Sequence, residues 1–494
     1  MMPISELRYA EAVDKFAFIM EKYILRLLPV KITGAVLMSS FKRLYDESQY
    51  NRLIDYNEET GALTVVPQKK APAFVVELAL PAGRSYAFRA AESILAEISS
   101  AMPTMGIYES FDDDSVQDAV NQEHQFVKKL FDGNSVYFEA ITDIAFERGL
   151  ANWLGGTGVC GATIFRLLHK LESWTRKTYE GKHVSFGIIV DKDSESGTMD
   201  YIEFLDNRSS ALVSDGIFSA VYLDRNGGLI KSVSSLCGDD LPASSDDTAK
   251  DISEIYAPYE FAGFAGMCCN NRIGLITLSS GDILIIKDSK LIFSKRNDDW
   301  SVFDHESIIN EIVSFVSEDD KDADRTRMWK YGVLAREIYK TMIDVSFSYS
   351  GGCIGILKKS SNAENLIGNN TITYRDYMAG KYDDLPTEEF RRRDAQRRRV
   401  IAGLIWYDGA PRTFDETSRK LRMECALFDG AVLVDTDGEY ITVGSIVKVN
   451  GGGTGGRTLA ARSLAKSGMG IKISSDGGIT AYIGKGEIPV FSIG

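Results

Sequence analysis

Near the start of the chain, apolar residues stand at Phe16, Ile19, Met20, Tyr23, Ile24 and Leu27, the three–four spacing of one helical face. Short apolar runs at Leu63 to Val66 and Ala73 to Leu80 then predict strands, and a helix is expected from Ala87 to Ser99. The acidic stretch Phe111-Asp112-Asp113-Asp114 reads as a solvated turn. Two helices follow, Phe138 to Leu154 and Ala162 to Tyr179, joined by Leu154-Gly155-Gly156-Thr157-Gly158. Runs bounded by Gly, Asp, Asn and Ser predict strands at Val184 to Val190, Ile202 to Leu205, Ile217 to Leu223, Ile273 to Leu278 and Ile283 to Ile286. The Ser-rich acidic segment Gly238 to Asp251 lies among them as a loop, and the charged stretch Ser317 to Arg327 reads as a linker.

Beyond that stretch the order repeats. A helix from Trp329 to Ile343 leads to a strand at Cys353 to Leu357, and strands are expected again at Val400 to Trp406, Ala431 to Asp435 and Tyr440 to Val447. A helix from Arg457 to Lys466 and strands at Gly470 to Ile473 and Ile479 to Ile483 complete the pattern. The letters repeat too. Ala220-Val221-Tyr222-Leu223-Asp224-Arg225-Asn226-Gly227 aligns with Ala431-Val432-Leu433-Val434-Asp435-Thr436-Asp437-Gly438, each after an Asp-Gly pair (Asp215-Gly216 and Asp429-Gly430). Ser279-Ser280-Gly281-Asp282-Ile283 likewise resembles Ser474-Ser475-Asp476-Gly477-Gly478-Ile479. Any one strand–turn–strand match is common, but a shared order of four elements points to a diverged duplication. The expected fold class is α/β (α+β), with mixed central sheets flanked by helices. The expected organisation is an N-terminal α/β module over 1–128, a degenerate copy over 129–316, a charged linker over 317–332 and a second copy over 333–494.

Composition narrows the function. Of 494 residues, 44% are hydrophobic and 26% charged, the balance of a folded soluble protein. A net charge of −14 argues against a general binder of DNA or RNA duplexes, which needs a basic field. The six cysteines form no CxxC pair and the four histidines no metal-ligand spacing, so neither zinc nor a disulfide framework is expected. The segment Phe16 to Met38 is interrupted by Glu21, Lys22, Arg26 and Lys31 and is too charged to cross a bilayer. A cytoplasmic protein with no membrane attachment is the expectation.

The chemistry concentrates near the end of the chain. Asn450-Gly451-Gly452-Gly453-Thr454-Gly455-Gly456 opens the helix that begins at Arg457. A glycine-rich turn feeding a helix presents backbone N–H groups and the positive end of the helix dipole to an anion. Thr454 adds a hydroxyl, and the Arg457 guanidinium can fork onto phosphate oxygens. Asp429, before a tight Gly430, can hold a divalent cation or a ribose hydroxyl.

These motifs resemble those of diadenylate cyclase domains, which carry Asp-Gly-Ala at the start of a strand and Gly-Thr-Arg-His-Arg at a helix start. Here the first stands as Asp429-Gly430-Ala431, and the second as Gly453-Thr454-Gly455-Gly456-Arg457-Thr458. Over about the last third of the chain, the resemblance implies that these nine residues contact a nucleotide, ATP or a cyclic dinucleotide. Asp429 would hold Mg²⁺ or Mn²⁺, and Asp429 and Arg457 would be the catalytic residues if the chain is an enzyme. Catalysis in the family needs two sites face to face, which implies a homo-oligomer.

The chain departs from the family at Gly455 and Gly456, which stand where the family keeps Arg and His. Each lost donor at a reacting phosphate costs about 10²–10³-fold in rate. This favours a nucleotide-binding sensor without turnover over an active diadenylate cyclase, with a scaffold that binds nothing small as the third reading. The first copy has no glycine-rich helix start after Asp215-Gly216-Ile217, only Ala262-Gly263-Phe264-Ala265-Gly266. Gly155-Gly156-Thr157-Gly158 admits two readings, a helix–helix turn, which is the commoner, and a second phosphate nest. Arg391-Arg392-Arg393 and Arg397-Arg398-Arg399 read first as a solvated helix and second as a contact for a phosphate-bearing partner or a subunit.

Overall fold

The computed structural model describes residues 31–37, 54–57, 62–65, 74–79, 90, 93–94, 97, 135–156, 158–175, 178–179, 182–205, 214–233, 254–359, 363–368, 371–381, 388–407, 409–449, 455–485 and 488–494. The helix expected around Phe16 to Leu27, the acidic turn at 111–114 and the loop at 238–251 lie outside them. Of the helix expected over 87–99, residues 90, 93, 94 and 97 are described, and all four are helical. The chain divides into two compact units: Met1–Leu241 with Met267–Asp288 and Ile292–Val302, and Pro242–Gly266 with Ser289–Leu291 and Phe303–Gly494.

In the first unit, β1 (Lys31–Leu37), β2 (Ile54–Asn57), β3 (Ala62–Val65) and β4 (Phe74–Ala79) form an antiparallel sheet in the order β1-β4-β3-β2. Helices α1 (Ser135–Gly155) and α2 (Val159–Thr175) follow. On α2, Cys160, Ile164, Leu167, Leu168, Leu171 and Trp174 are buried at helical spacing, and the Trp174 indole donates to Leu205 O at 3.1 Å. The short hairpin β5 (Thr178–Tyr179) and β6 (Lys182–His183) leads to β7 (Phe186–Asp191), α3 (Tyr201–Phe204), β8 (Ala220–Asp224) and β9 (Leu229–Val233). After α4 (Ala262–Met267), which belongs to the second unit up to Gly266, come β10 (Arg272–Thr277), β11 (Ile283–Lys287), β12 (Lys290–Arg296) and β13 (Asp299–Val302). These strands make a seven-stranded sheet, β13-β12-β11-β10-β7-β8-β9.

The second unit carries α5 (His305–Val316), α6 (Arg325–Phe347), β14 (Gly352–Leu357), α7 (Tyr374–Met378), α8 (Glu389–Trp406) and α9 (Arg419–Ala426). It continues with β15 (Ala431–Asp435), β16 (Tyr440–Ser445), α10 (Gly456–Ala465), β17 (Gly468–Ile473), β18 (Ile479–Ile483) and β19 (Pro489–Ile493). The sheet order is β16-β15-β14-β17-β18-β19. Alternate residues Cys353, Leu357, Ala431 and Leu433 form one core layer with Ala461, Leu464 and Ala465 of α10. Residues of the other parity, Ile354, Ile356, Val432 and Val434, are fully buried on the opposite face, where α6 and α9 pack.

The protein is thus mixed α/β, with two mixed sheets and ten α-helices among the described residues. The two sheets share one topology. In each, the first strand (β7, β14) runs parallel to the second (β8, β15), which turns back antiparallel into the third (β9, β16). The first strand pairs antiparallel with the fourth (β10, β17), which pairs antiparallel with the fifth (β11, β18).

Two expected strands are helices. Ile202 to Leu205 lies in α3, because the Asp200 carboxylate accepts from the Ile202 N–H at 3.0 Å and caps a helical turn. Val400 to Trp406 is the end of α8: Ile401, Ala402, Ile405 and Trp406 are buried at helical spacing, while Val400 and Leu404 are exposed. The Arg, Ala and Gln residues before them are strong helix formers and carry the helix through the β-branched residues. Of the charged linker, residues 325–332 are the first turns of α6, capped by Asp324, whose carboxylate accepts from the Arg327 N–H at 2.7 Å.

Candidate functional site

Strand sense gathers the motif residues of the second unit. Because β14 and β15 are parallel, with Ile354 opposite Val432, the residues before them (Ser350-Gly351 and Asp429-Gly430) reach the same end of the sheet. The antiparallel β16 and β17 finish there, with Ser445 opposite Ala431 and Ile473 opposite Gly352. The Asp429-Gly430 corner is built for glycine. Gly430 has φ +111°, and a Cβ on it would stand 2.6 Å from Gly444 C and 2.7 Å from Ser445 O.

Helix α10 is seated so that its N-terminus meets this end. It lies so close to β17 that a Cβ on Gly470 would fall 1.9 Å from Ala461 O. The Arg457 side chain donates from Nη2 to Ser350 O at 3.0 Å, and its Nη1 lies 2.9 Å from where a Cβ on Gly351 would be. Gly455, at φ +57°, caps the helix with no side-chain hydrogen bond, and its carbonyl accepts from the Thr458 and Leu459 N–H groups. Among the described residues, the N–H groups of Gly456 and Arg457 carry no hydrogen bond, as an anion-receiving helix start requires. Asp429, Gly455, Gly456 and Arg457 are exposed, Thr458 is half-buried and Ala431 is buried. Gly453 and Thr454 lie outside the described residues. Nearby Cys353 is no nucleophile, since burial pushes its thiol up to about 12 against a lesser pull from Arg457.

The matching corner of the first unit is closed. Asp215 Oδ1 accepts from the N–H groups of Ile217, Phe218 and Ser219 and from the Ser219 hydroxyl, at 2.8–3.0 Å. Burial would raise its pKa, but these hydrogen bonds outweigh it and hold the carboxyl below its ordinary value. This carboxylate stabilises its own turn. Gly155-Gly156-Thr157-Gly158 is a helix–helix turn: a Cβ on Gly155 would lie 2.7 Å from Gly161 N, and one on Gly161 2.5 Å from Gly156 O. Glycine there lets α1 and α2 touch.

Two charged clusters lay beyond sequence reasoning. In the first unit, Lys295 donates to Glu147 at 2.8 Å and also to Glu172, while His169 lies 3.7 and 3.6 Å from the two carboxylates. Glu147 is 3% exposed, and burial, then the neighbouring Glu172, pushes it up to about 7. Donor atoms of Glu147, His169 and Glu172 lie within 4.8 Å of one another, but the Lys295 ammonium already serves the pair as its cation. In the second unit, Arg419 grips Asp344 through two hydrogen bonds of 2.7 Å, and Asp344 also accepts from the Tyr259 N–H at 2.8 Å. Beside them Glu337 takes hydrogen bonds from Arg422 and Lys340. Partners separated by 75 or more positions leave no local signal. Among the described residues, no helix is long and apolar enough to cross a membrane. No protein-family model, curated protein or solved structure matches the chain.

Proposed function

We propose that the chain is a nucleotide- or cyclic-dinucleotide-binding sensor, a cytoplasmic regulatory protein built on a diadenylate cyclase fold and without turnover. One observation carries the reading: an exposed Asp429 and the α10 start bearing Arg457, whose N-cap Gly455 gives it no side-chain cap, lie at one end of one sheet. The common strand order of the two sheets supports tandem cyclase-like domains over 129–316 and 333–494, with 317–332 linking them and the 1–128 module in front. In the second domain, Asp429, Gly430, Ala431 and Gly453 to Thr458 would cradle the phosphates and ribose. A bound nucleotide would bring Mg²⁺ or Mn²⁺ to Asp429.

Charge decides between binding and catalysis. Gly455 and Gly456 bring no side-chain charge, and Arg462, one turn along, rests its guanidinium over the Tyr482 ring at 5.3 Å. Arg457 is then the one cation that α10 offers, enough to hold a phosphate and too little to stabilise a reacting triphosphate. The full chain is therefore expected to give no cyclic dinucleotide from labelled ATP with Mg²⁺ or Mn²⁺. Calorimetry with ATP, AMP and cyclic dinucleotides should show binding that Arg457→Ala weakens about ten- to hundredfold. A product abolished by Asp429→Asn would replace the sensor with an active cyclase. No binding of any of these at millimolar concentration would leave the scaffold reading.

A further inference from the structure

The Arg-rich helix α8 has a second feature that the ligand site does not use. Its exposed face carries Arg393, Arg397, Val400, Leu404 and Tyr407, at successive spacings of four, three, four and three. That is the 3.5-residue repeat of a coiled-coil seam, sustained for two heptads over about 21 Å. The three apolar members are 58%, 54% and 67% exposed, on a helix whose other side, Ile401, Ala402, Ile405 and Trp406, is already buried in its own unit. Between them Gly403 has open space where a Cβ would be, so another helix can come close.

We propose that a second copy of this chain covers the seam, α8 pairing antiparallel with its counterpart about a two-fold axis beside Gly403. Charge selects both the occupant and the direction. A parallel pair would set Arg393 against Arg393 and Arg397 against Arg397, which is repulsive. An antiparallel pair centred near position 402 puts Val400 against the other copy's Leu404 and Arg397 against its Tyr407. Arg393 then reaches the far helix's C-terminal end, where the dipole is negative. Tyr407 already takes the Arg412 guanidinium on one face at 4.1 Å, and its exposure leaves the rest of the ring for a second cation. Arg397 is held ready by its own unit, 3.5 Å from Glu424 and 4.6 Å over the Phe428 ring, with half of its side chain exposed. The contact is isologous and closes at two copies.

Sedimentation velocity on the full chain over a micromolar concentration series is the test. The wild type is expected as a dimer, and Leu404→Glu should raise its dissociation constant about a hundredfold or more, with unchanged far-ultraviolet circular dichroism. Mixing Arg397→Cys with Tyr407→Cys under oxidation should give a disulfide-linked heterodimer, while each variant alone and the wild type do not. If assembly is larger than a dimer, Leu404→Glu should still reduce its order. A monomeric wild type, an assembly unmoved by Leu404→Glu, or a monomer that floats with anionic vesicles through this helix would each overturn the proposal. Cross-linking of Arg397→Cys to itself would overturn the antiparallel direction.

Discussion

His305 shows how far burial can move a single group. Its Nε2 lies 2.7 Å from Leu291 O, and its ring stacks on Tyr256 with centroids 5.2 Å apart. It is fully buried, and burial, with a smaller push from Lys290, lowers its pKa from the ordinary 6.5 to about 3. The folded state thus refuses a proton that the unfolded chain accepts below pH 6.5, so stability falls as pH drops from there towards 3. Replacement by Gln keeps a donor for Leu291 O and removes the titration. The stability gap between wild type and His305→Gln, from urea unfolding, should narrow by about 2 kcal/mol between pH 7.5 and pH 5. A constant gap would show that His305 is protonated in the folded state. Nothing in the letters around His305 announces this, because Tyr256 and Leu291 reach it from distant positions. Asp215 and Asp429 teach the same lesson from the other side: both precede a glycine and a strand, yet one carboxylate is consumed by its own turn and the other is exposed.

At the scale of elements, periodicity was legible wherever one pattern had no rival. Helix α6, strands β14, β15, β17 and β18 and helix α10 lie where spacing puts them, within a few residues. The misreadings fell on short β-branched runs, at 202–205 and 400–406, where a cap or an upstream helix former decided the outcome. Helices α5 and α9 and strands β12, β13 and β19 were not foreseen; in α9 four of eight residues are charged, and one of these, Arg422, is among its three buried positions. What holds α9 to α6 is polar. Asp344 is 3% exposed, and its burial, which raises its pKa, is opposed chiefly by Arg419. Removing the guanidinium strands a buried carboxylate, so Arg419→Met should cost about 3–5 kcal/mol in chemical denaturation. Adding Asp344→Asn should restore much of that. A single-variant loss below about 1 kcal/mol would mean that water reaches the pair.

For the molecule as a whole, sheet topology and site chemistry point in different directions. The sheets agree strand for strand from the first to the sixth, so a duplication would have preserved two scaffolds. The sites did not follow. The second unit has a ten-residue helix, α10, between its third and fourth strands, with a glycine N-cap that makes no side-chain hydrogen bond and an arginine in its first turn. Between β9 and β10 the α-helix among the described residues is the six-residue α4, and the aspartate at the first unit's corner, Asp215, is internally bonded. The shared strand order was legible in the sequence because similar Gly-bounded strands stand in both halves, whereas the asymmetry of the two aspartates depends on hydrogen bonds that no run of letters contains. The asymmetry fixes a stoichiometry: a cyclic dinucleotide or ATP titrated into the full chain should saturate at no more than one molecule per chain. Arg457→Ala should remove most of the heat, while Asp215→Asn should leave affinity unchanged and lower thermal stability, since four hydrogen bonds to a carboxylate weaken. Two equivalent sites per chain, or binding lost with Asp215→Asn in a folded protein, would show that both copies kept their function.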